Sequence, residues 1–229
     1  MYRDNSVGAV ILAAGESNRM NGRINKVYRE VRGEPVLSYS IKAFLNSGPV
    51  DDIVLVFNEE DRSLMEERIL KQFEPGGAIK VVPGGEKRQD SSWAGLRALE
   101  TDYVFIHDGA RPNFSTDLVS DLLQATLKQK AAFPGVKPVD TIREIEGGLA
   151  GKTVDRDKLV KVQTPQCFMR SLLVEALEKA SEEGSYFTDD AGAVMAHGGV
   201  EPMIVSGEKG NVKLTTDEDM KLIKFLLES

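Results

Sequence analysis

The chain has little with which to build redox or zinc chemistry. Its 229 residues include one cysteine, Cys167, and two histidines, His107 and His197. A lone thiol makes no disulfide framework and no cysteine-rich metal centre, and two imidazoles are too few for a histidine-based zinc site. Positive charge is not in excess either. A formal net charge of −7 gives no global affinity for nucleic acid, so a polyanion must be held by a local cluster of Lys and Arg. No apolar run approaches the ~20 residues needed to cross a bilayer. Residues 1–6 are polar, so the expectation is no signal peptide, no membrane association and a cytoplasmic setting, which a single thiol also suits. Internal repeats and low-complexity stretches are absent from the sequence.

What is present is a core-forming composition, 41% hydrophobic and 28% charged. It suits one domain over residues 1–229. Short β-branched runs alternate with amphipathic stretches. Val7–Ala13, Ile53–Phe57, Ile79–Val82, Tyr103–His107 and Ala131–Val136 read as buried strands. Helices are expected from Pro35 through Leu37, Ile41, Phe44 and Leu45, from Asn58 as cap to about Gln72, over 88–100, and over 115–129. This alternation predicts an α/β, doubly wound, mostly parallel sheet with helices on both faces. It breaks at Pro138. From there to about Leu159 the alternation of Asp140-Thr141-Ile142 and Thr153-Val154-Asp155 around Gly147-Gly148 predicts a protruding β-arm. Helices over 169–183 and 188–197, strands at Pro202–Val205 and Val212–Leu214, and a last helix opened by a capping box at Thr215-Thr216-Asp217-Glu218 complete the pattern.

Four groups of residues carry candidate chemistry. After the first strand comes Leu12-Ala13-Ala14-Gly15-Glu16-Ser17-Asn18-Arg19-Met20, with Lys26 beyond. Small residues let backbone N–H groups approach a phosphate or base, and two cations follow. The glycines fit neither a dinucleotide fingerprint nor a P-loop. A solvated βα loop remains the structural alternative. Gly84-Gly85-Glu86-Lys87-Arg88-Gln89-Asp90-Ser91 allows close approach to a flat base, or is simply a turn before a helix. In Tyr103 to Pro112, Asp108 lies just beyond the end of a hydrophobic strand, where open α/β sheets bind ligands, with Arg111 after it. Asp108 suits Mg²⁺ shared with phosphate oxygens, or a turn cap; His107 and Cys167 read as structural. The fourth group is dispersed: Asp140-Thr141, Thr153 to Arg156, Thr164-Pro165-Gln166, Phe187-Thr188-Asp189-Asp190, and Asn211 to Thr215. Each has an easy reading as a cap, turn or solvated strand residue.

Together these segments resemble the 2-C-methyl-D-erythritol 4-phosphate cytidylyltransferases, over nearly the whole chain and in family order. The L-A-A-G-x-x-x-R-M stretch is common to many nucleotidyltransferases; the G-G-x-x-R-x-x-S, H-D-x-A-R-P, T-V-D-R, T-P-Q and N-x-K-x-T segments are more specific. The resemblance implies a Rossmann-like nucleotidyltransferase fold and transfer of CMP from CTP to a polyol phosphate. It implies that Arg19, Lys26 and Lys213 are catalytic, stabilising charge at the α-phosphate. Ala13, Ala14, Gly15, Gly85, Glu86, Ser91 and Asp108 would bind the nucleotide, with Asp108 also at Mg²⁺. Arg111, Thr141, Arg156, Thr188 and Lys213 would hold the acceptor. The arm would cross to a partner in a homodimer, so that Thr141 and Arg156 complete the neighbour's site. Asn25-Lys26-Val27 stands where the family usually has Pro-Lys-Gln, and Gly210 where an acidic residue often precedes Asn211. Rival readings are a D-ribitol-5-phosphate cytidylyltransferase, a sugar-1-phosphate nucleotidyltransferase using UTP or GTP, and a catalytically inactive nucleotide-binding module.

Overall fold

The computed structural model describes residues 2, 4–15, 25–73 and 79–228. Arg19 lies outside them. The first strand, β1 (Val7–Ala13), is buried along its whole length. Its residues point alternately to two sides, and both sides are apolar because both faces of the sheet are covered. Val7, Ala9, Ile11 and Ala13 join one core, and Val10 and Leu12 the other. Each fully buried Val, Leu or Ile contributes roughly 1.5–3 kcal/mol relative to an exposed one.

After a short hairpin, β2 (Glu30–Val31) and β3 (Glu34–Pro35), the chain enters α1 (Val36–Asn46). Pro35 is the last strand residue and the cap, one position earlier than expected. Leu37, Ile41 and Phe44 are buried on the expected face, but Leu45 is 44% exposed. Strand β4 (Asp52–Phe57) follows. Asn58 is a cap as expected, accepting from Glu60 N at 3.1 Å, but it caps a 3₁₀ turn. That turn leads into α2 (Arg62–Met65), a π-helical segment (Glu66–Leu70) and α3 (Lys71–Phe73) instead of one regular helix. Next come β5 (Ile79–Pro83), α4 (Arg88–Arg97), β6 (Tyr103–Asp108), α5 (Thr116–Gln129) and β7 (Ala131–Val136). The hairpin β8 (Ile142–Glu146) and β9 (Leu149–Val154) forms its own two-stranded sheet, turning at Gly147 and Gly148, whose φ values are +56° and +82°.

Beyond the hairpin lies an element that alternation alone did not reveal. β10 (Lys161–Val162) and β11 (Gln166–Met169), joined across the cis peptide Thr164–Pro165, both run antiparallel to β7, and β11 also pairs antiparallel with β6, so that β11 lies between the two. Then α6 (Arg170–Glu182), α7 (Asp190–His197), β12 (Met203–Ser206) and α8 (Asp217–Glu228) finish the chain. Val212–Leu214 is not a strand; the segment is pinned instead by Leu214 N donating to Ala110 O at 2.8 Å. The α8 capping box sits one residue later than expected: Thr216 N donates to Asp219 Oδ2 at 2.8 Å and Asp219 N to Thr216 Oγ1 at 3.3 Å.

In the main sheet the order is β5-β4-β1-β6-β11-β7, with β12 on the far side of β7. Strands β1, β4, β5 and β6 are parallel. Helices α1, α5 and α8 cover one face, and α4, α6 and α7 the other. Helix α4 sits tight on the sheet: a Cβ on Gly95 would meet Val10 Cγ1 at 2.3 Å. The chain runs outward from β1 to β5, then returns to the other side of β1 as β6. That reversal opens a crevice at the carboxyl ends of the strands, where open α/β sheets bind ligands.

Candidate active site

Two adjoining cavities occupy that crevice. The larger, about 560 Å³, is lined by the ends of β1 (Ala13, Ala14, Gly15), β5 (Gly84, Gly85, Glu86) and β6 (Asp108), with Lys26, Arg88, Ser91 and Lys213. The smaller, about 310 Å³, is lined by Arg111, Gln163, Thr164, Gln166 and Thr188. Arg88, Asp108 and Lys213 line both.

The end of the larger cavity between Ala14 and Ser91 depends on the absence of side chains. A Cβ on Gly84 would fall 2.4 Å from Ala14 Cβ and 2.8 Å from Ser91 Oγ. With glycine there, the two loops close together and leave a flat-walled slot. Ser91, nearly buried, accepts from Gly85 N at 3.2 Å, so its hydroxyl shapes the glycine loop as well as facing the cavity. Asn25 explains the departure at the position usually held by proline. Its Nδ2 donates to Gly15 O at 3.1 Å and to Asp61 Oδ2 at 2.9 Å, tying the loop end to the Lys26 turn. A side-chain bond here replaces the rigidity that a proline ring gives.

The wall between the cavities is an ion-pair network. Asp108 Oδ1 accepts from Arg88 Nε at 3.1 Å and Oδ2 from Lys213 Nζ at 2.7 Å. Arg88 Nη1 donates onward to the buried Asp190 at 2.6 Å. Burial alone raises the Asp108 carboxyl, but Arg88 and Lys213 more than offset this and hold it well below the usual carboxylate range. Burial lowers the Arg88 pKa, yet Asp190 and Asp108 together leave it above its usual value. Asp108 and Arg88 are therefore both charged at neutral pH. Arg88 was not singled out from the sequence, although it is the Arg of the G-G-x-x-R-x-x-S segment.

His107 plays no acid–base part. It is fully buried, with Nε2 3.1 Å from Arg111 O and Nδ1 3.2 Å from Thr164 Oγ1. Since Asp108 N donates to the same Thr164 oxygen at 3.0 Å, the Thr164 hydroxyl proton is free for Nδ1, and Nε2–H serves Arg111 O. Burial pushes this imidazole down to about 3, so it stays neutral. Cys167 is likewise structural: buried within β11, its thiol pushed up to about 12 by burial.

Lys213 is presented by a segment fastened from below. Arg111 Nη1 donates to Asn211 O at 2.9 Å, Asn211 Nδ2 to Thr164 O at 2.8 Å, and Gln163 Nε2 to Glu208 O at 2.8 Å. Arg111 Nε is buried without a protein partner, beside the smaller cavity. Thr188 lines that cavity, and its neighbour Asp189 is the α7 cap, accepting from Gly192 N at 3.0 Å. Thr141 and Arg156 are not brought to either cavity. Both are exposed on the arm, where the Arg156 guanidinium bonds the Val139 carbonyl. Of the sequence-predicted residues, then, the structure gathers Ala13, Ala14, Gly15, Lys26, Gly85, Glu86, Ser91, Asp108, Arg111, Thr188 and Lys213. Among the described residues no group of three or more His, Cys, Asp or Glu side chains forms a metal cluster, and no helix is long and apolar enough to cross a membrane.

Such an arrangement can hold two anionic ligands side by side, each meeting the Arg88 and Lys213 side chains of the shared wall. Residues 7–229 match the family model described as IspD, 2-C-methyl-D-erythritol 4-phosphate cytidylyltransferase. The chain is 40% identical to the protein of that name from Caldanaerobacter subterraneus subsp. tengcongensis, over 97% of this chain and 99% of the relative. It is also 40% identical to that from Geobacillus kaustophilus, over 96% of each. The crystal structure of 4-diphosphocytidyl-2C-methyl-D-erythritol synthase from Anaerococcus prevotii superposes with a TM-score of 0.85 at 30% identity, covering 98% of this chain and 97% of that one. By fold and full-length similarity, the chain belongs to the 2-C-methyl-D-erythritol 4-phosphate cytidylyltransferase family.

Proposed function

We infer that this chain transfers CMP from CTP to the phosphate of 2-C-methyl-D-erythritol 4-phosphate, giving 4-diphosphocytidyl-2-C-methyl-D-erythritol and pyrophosphate. The observation that carries the reading is the shared wall of Arg88, Asp108 and Lys213 between the two cavities. It brings two phosphate-bearing ligands into contact while keeping each in its own pocket. CTP takes the larger cavity. Its base lies against Ala13, Ala14, Gly15, Gly85, Glu86 and Ser91, and its phosphates face Lys26. The acceptor takes the smaller cavity, held by Arg111, Thr188 and Lys213.

An oxygen of the acceptor phosphate attacks the α-phosphorus, a P–O bond forms, and the bond to pyrophosphate breaks. The attacking oxygen is already ionised at neutral pH, so no proton needs to be moved, in keeping with the neutral, buried His107. What remains is to align two polyanions and stabilise charge on the equatorial oxygens. Lys26 and Lys213, with Arg19, supply that charge.

A divalent cation, Mg²⁺, fits the donor set in one way. Each Asp108 oxygen accepts a single N–H, leaving lone pairs for a metal ligand. One carboxylate plus phosphate oxygens is an ordinary Mg²⁺ shell. Asp108 would hold the ion, whose chemistry is to neutralise the triphosphate and polarise its α-phosphate. Gly210 supplies no second carboxylate.

The arm is assigned to a homodimer. The arm exposes Val139, Ile145 and Leu149 at 70%, 83% and 76%, and a two-stranded hairpin is marginal alone in water. A two-fold partner covers it and receives Thr141 and Arg156 at the acceptor pocket. A cytoplasmic setting fits a nucleoside triphosphate substrate and the one buried thiol. The function is tested by following pyrophosphate release from CTP with methylerythritol phosphate and ribitol 5-phosphate in turn. Release with the first acceptor supports the reading; release with the second alone, or with neither, overturns it.

A further inference from the structure

The first turn of α4 reaches out of the nucleotide cavity. Lys87, Arg88 and Gln89, which directly follow the Gly84-Gly85-Glu86 loop, all grip one segment, residues 185–190. The Lys87 ammonium lies 3.2 Å from the centroid of the Tyr186 ring. Arg88 Nη1 donates to Asp190 Oδ2 at 2.6 Å. Gln89 brackets the backbone: its Nε2 donates to Ser185 O and its Oε1 accepts from Phe187 N, each at 3.1 Å. The same segment carries Thr188 into the smaller cavity. On the far side of Thr188, Gln166 Nε2 donates to Asp189 Oδ2 at 2.7 Å. Thr188 thus sits between two residues clamped from different elements, and the clamp on one side begins at the base-binding loop.

These contacts are hard to exchange for solvent. Asp190 and Gln89 are 2% and 8% exposed, so a displaced donor or acceptor would be left unpaired at a cost of about 1–3 kcal/mol. A shift of the α4 first turn must therefore carry the 185–190 segment with it. We propose that Lys87-Arg88-Gln89 couples the two substrate pockets, so that nucleotide and acceptor each tighten the other's binding, with Arg88 and Gln89 as positioning residues. The proposal rests on the assignment of CTP and a polyol phosphate to these cavities. A base that shifts the Gly84–Glu86 loop carries the Thr188 segment with it through these contacts, and the second ligand then meets a pocket already set. By linkage the effect is the same in both directions.

The test is isothermal titration of the full chain with α,β-methylene-CTP, which cannot release pyrophosphate, and with 2-C-methyl-D-erythritol 4-phosphate. Each is titrated alone and against saturating amounts of the other, with Mg²⁺ present. In the unmodified protein each ligand should tighten the other about fivefold or more, by equal factors. In Gln89→Ala the factor should fall below about twofold. Arg88→Lys keeps a cation but cannot fork between Asp108 and Asp190, so it too should lose the coupling. If Arg88 served only to neutralise charge, lysine would preserve it. Should Arg88→Lys lose its cooperative melting transition, Asp190→Asn tests the same link from the loop side. Independent binding in the unmodified protein overturns the proposal, as does full coupling in Gln89→Ala together with the Arg88 or Asp190 variant. An unmodified protein that binds neither ligand overturns the ligand assignment itself.

Discussion

Replacing Asp108 by Asn keeps the shape of the side chain and removes its charge. The carboxylate bridges Arg88 at 3.1 Å and Lys213 at 2.7 Å. An amide presents one oxygen and one NH₂ group, so one cation must face a donor. Removing one partner of a fully buried pair costs about 3–5 kcal/mol. Two features reduce that here. The Lys213 side chain is 40% exposed and can rehydrate, and Arg88 keeps its bond to Asp190. About 2 kcal/mol of destabilisation is expected. For a chain of this size that lowers Tm by about 4–8 °C. The sign with pH follows from the depressed Asp108 pKa. A carboxyl whose folded pKa lies below its unfolded value, near 3.9, contributes stability above that value and loses it as pH falls toward the folded pKa. The Tm gap between wild type and Asp108→Asn should be full at pH 7 and shrink below about pH 4. Turnover should fall on the order of a hundredfold, because a wall that positions both phosphates is lost. Scanning calorimetry across pH, with an initial-rate assay at pH 7, measures both. Equal stability at pH 7, or a gap that widens on acidification, would refute the reasoning.

Lys26→Ala and Arg19→Ala should each lower kcat by about two orders of magnitude while weakening CTP binding far less; near wild-type kcat in both would remove them from the transition state. CTP should be strongly preferred to UTP, because a slot closed by the Gly84–Glu86 backbone and Ser91 leaves polar groups unpaired against uracil; comparable kcat/KM values would show the slot does not read the base. Arg156→Ala should raise KM for the polyol phosphate and leave CTP affinity nearly unchanged. Mixed dimers of Arg156→Ala and Lys26→Ala chains should recover activity, since one site of each carries neither defect, and a fully active monomer in light scattering and assay would rule the arm out.

The sequence reveals the frame where a single physical pattern governs it. Val7–Ala13 and Ile53–Phe57 are apolar on both faces, so they read as strands between two helix layers, and the structure agrees. The segment Gln163 to Met169 is different. Its polar start and cis-Pro165 conceal a strand whose place between β6 and β7 is set by pairing distant in sequence. Val212–Leu214 alternates like a strand, but Leu214 N donates to Ala110 O, and the carbonyl of the preceding Asn211 accepts from the Gln163 and Arg111 side chains. In the site, Asp108 and Ser91 were legible because their motifs sit at a strand end and a helix start, whereas Lys213 rested on the likeness of its N-x-K-x-T segment alone. Arg88 was passed over because its importance lies in two carboxylates far along the chain, Asp108 and Asp190. Asn25 departs from the usual proline, and only its bond to Gly15 shows what it contributes.

The central claim is that two phosphates meet across the Asp108 wall and become one diphosphate. Phosphorus NMR of the full chain with CTP, Mg²⁺ and 2-C-methyl-D-erythritol 4-phosphate reads this directly. The acceptor's monoester signal should disappear as a pair of coupled diphosphate-diester signals grows, matched one for one by pyrophosphate. Hydrolysis of CTP to CMP with the monoester signal intact, or diester formation only when ribitol 5-phosphate replaces methylerythritol phosphate, would contradict it.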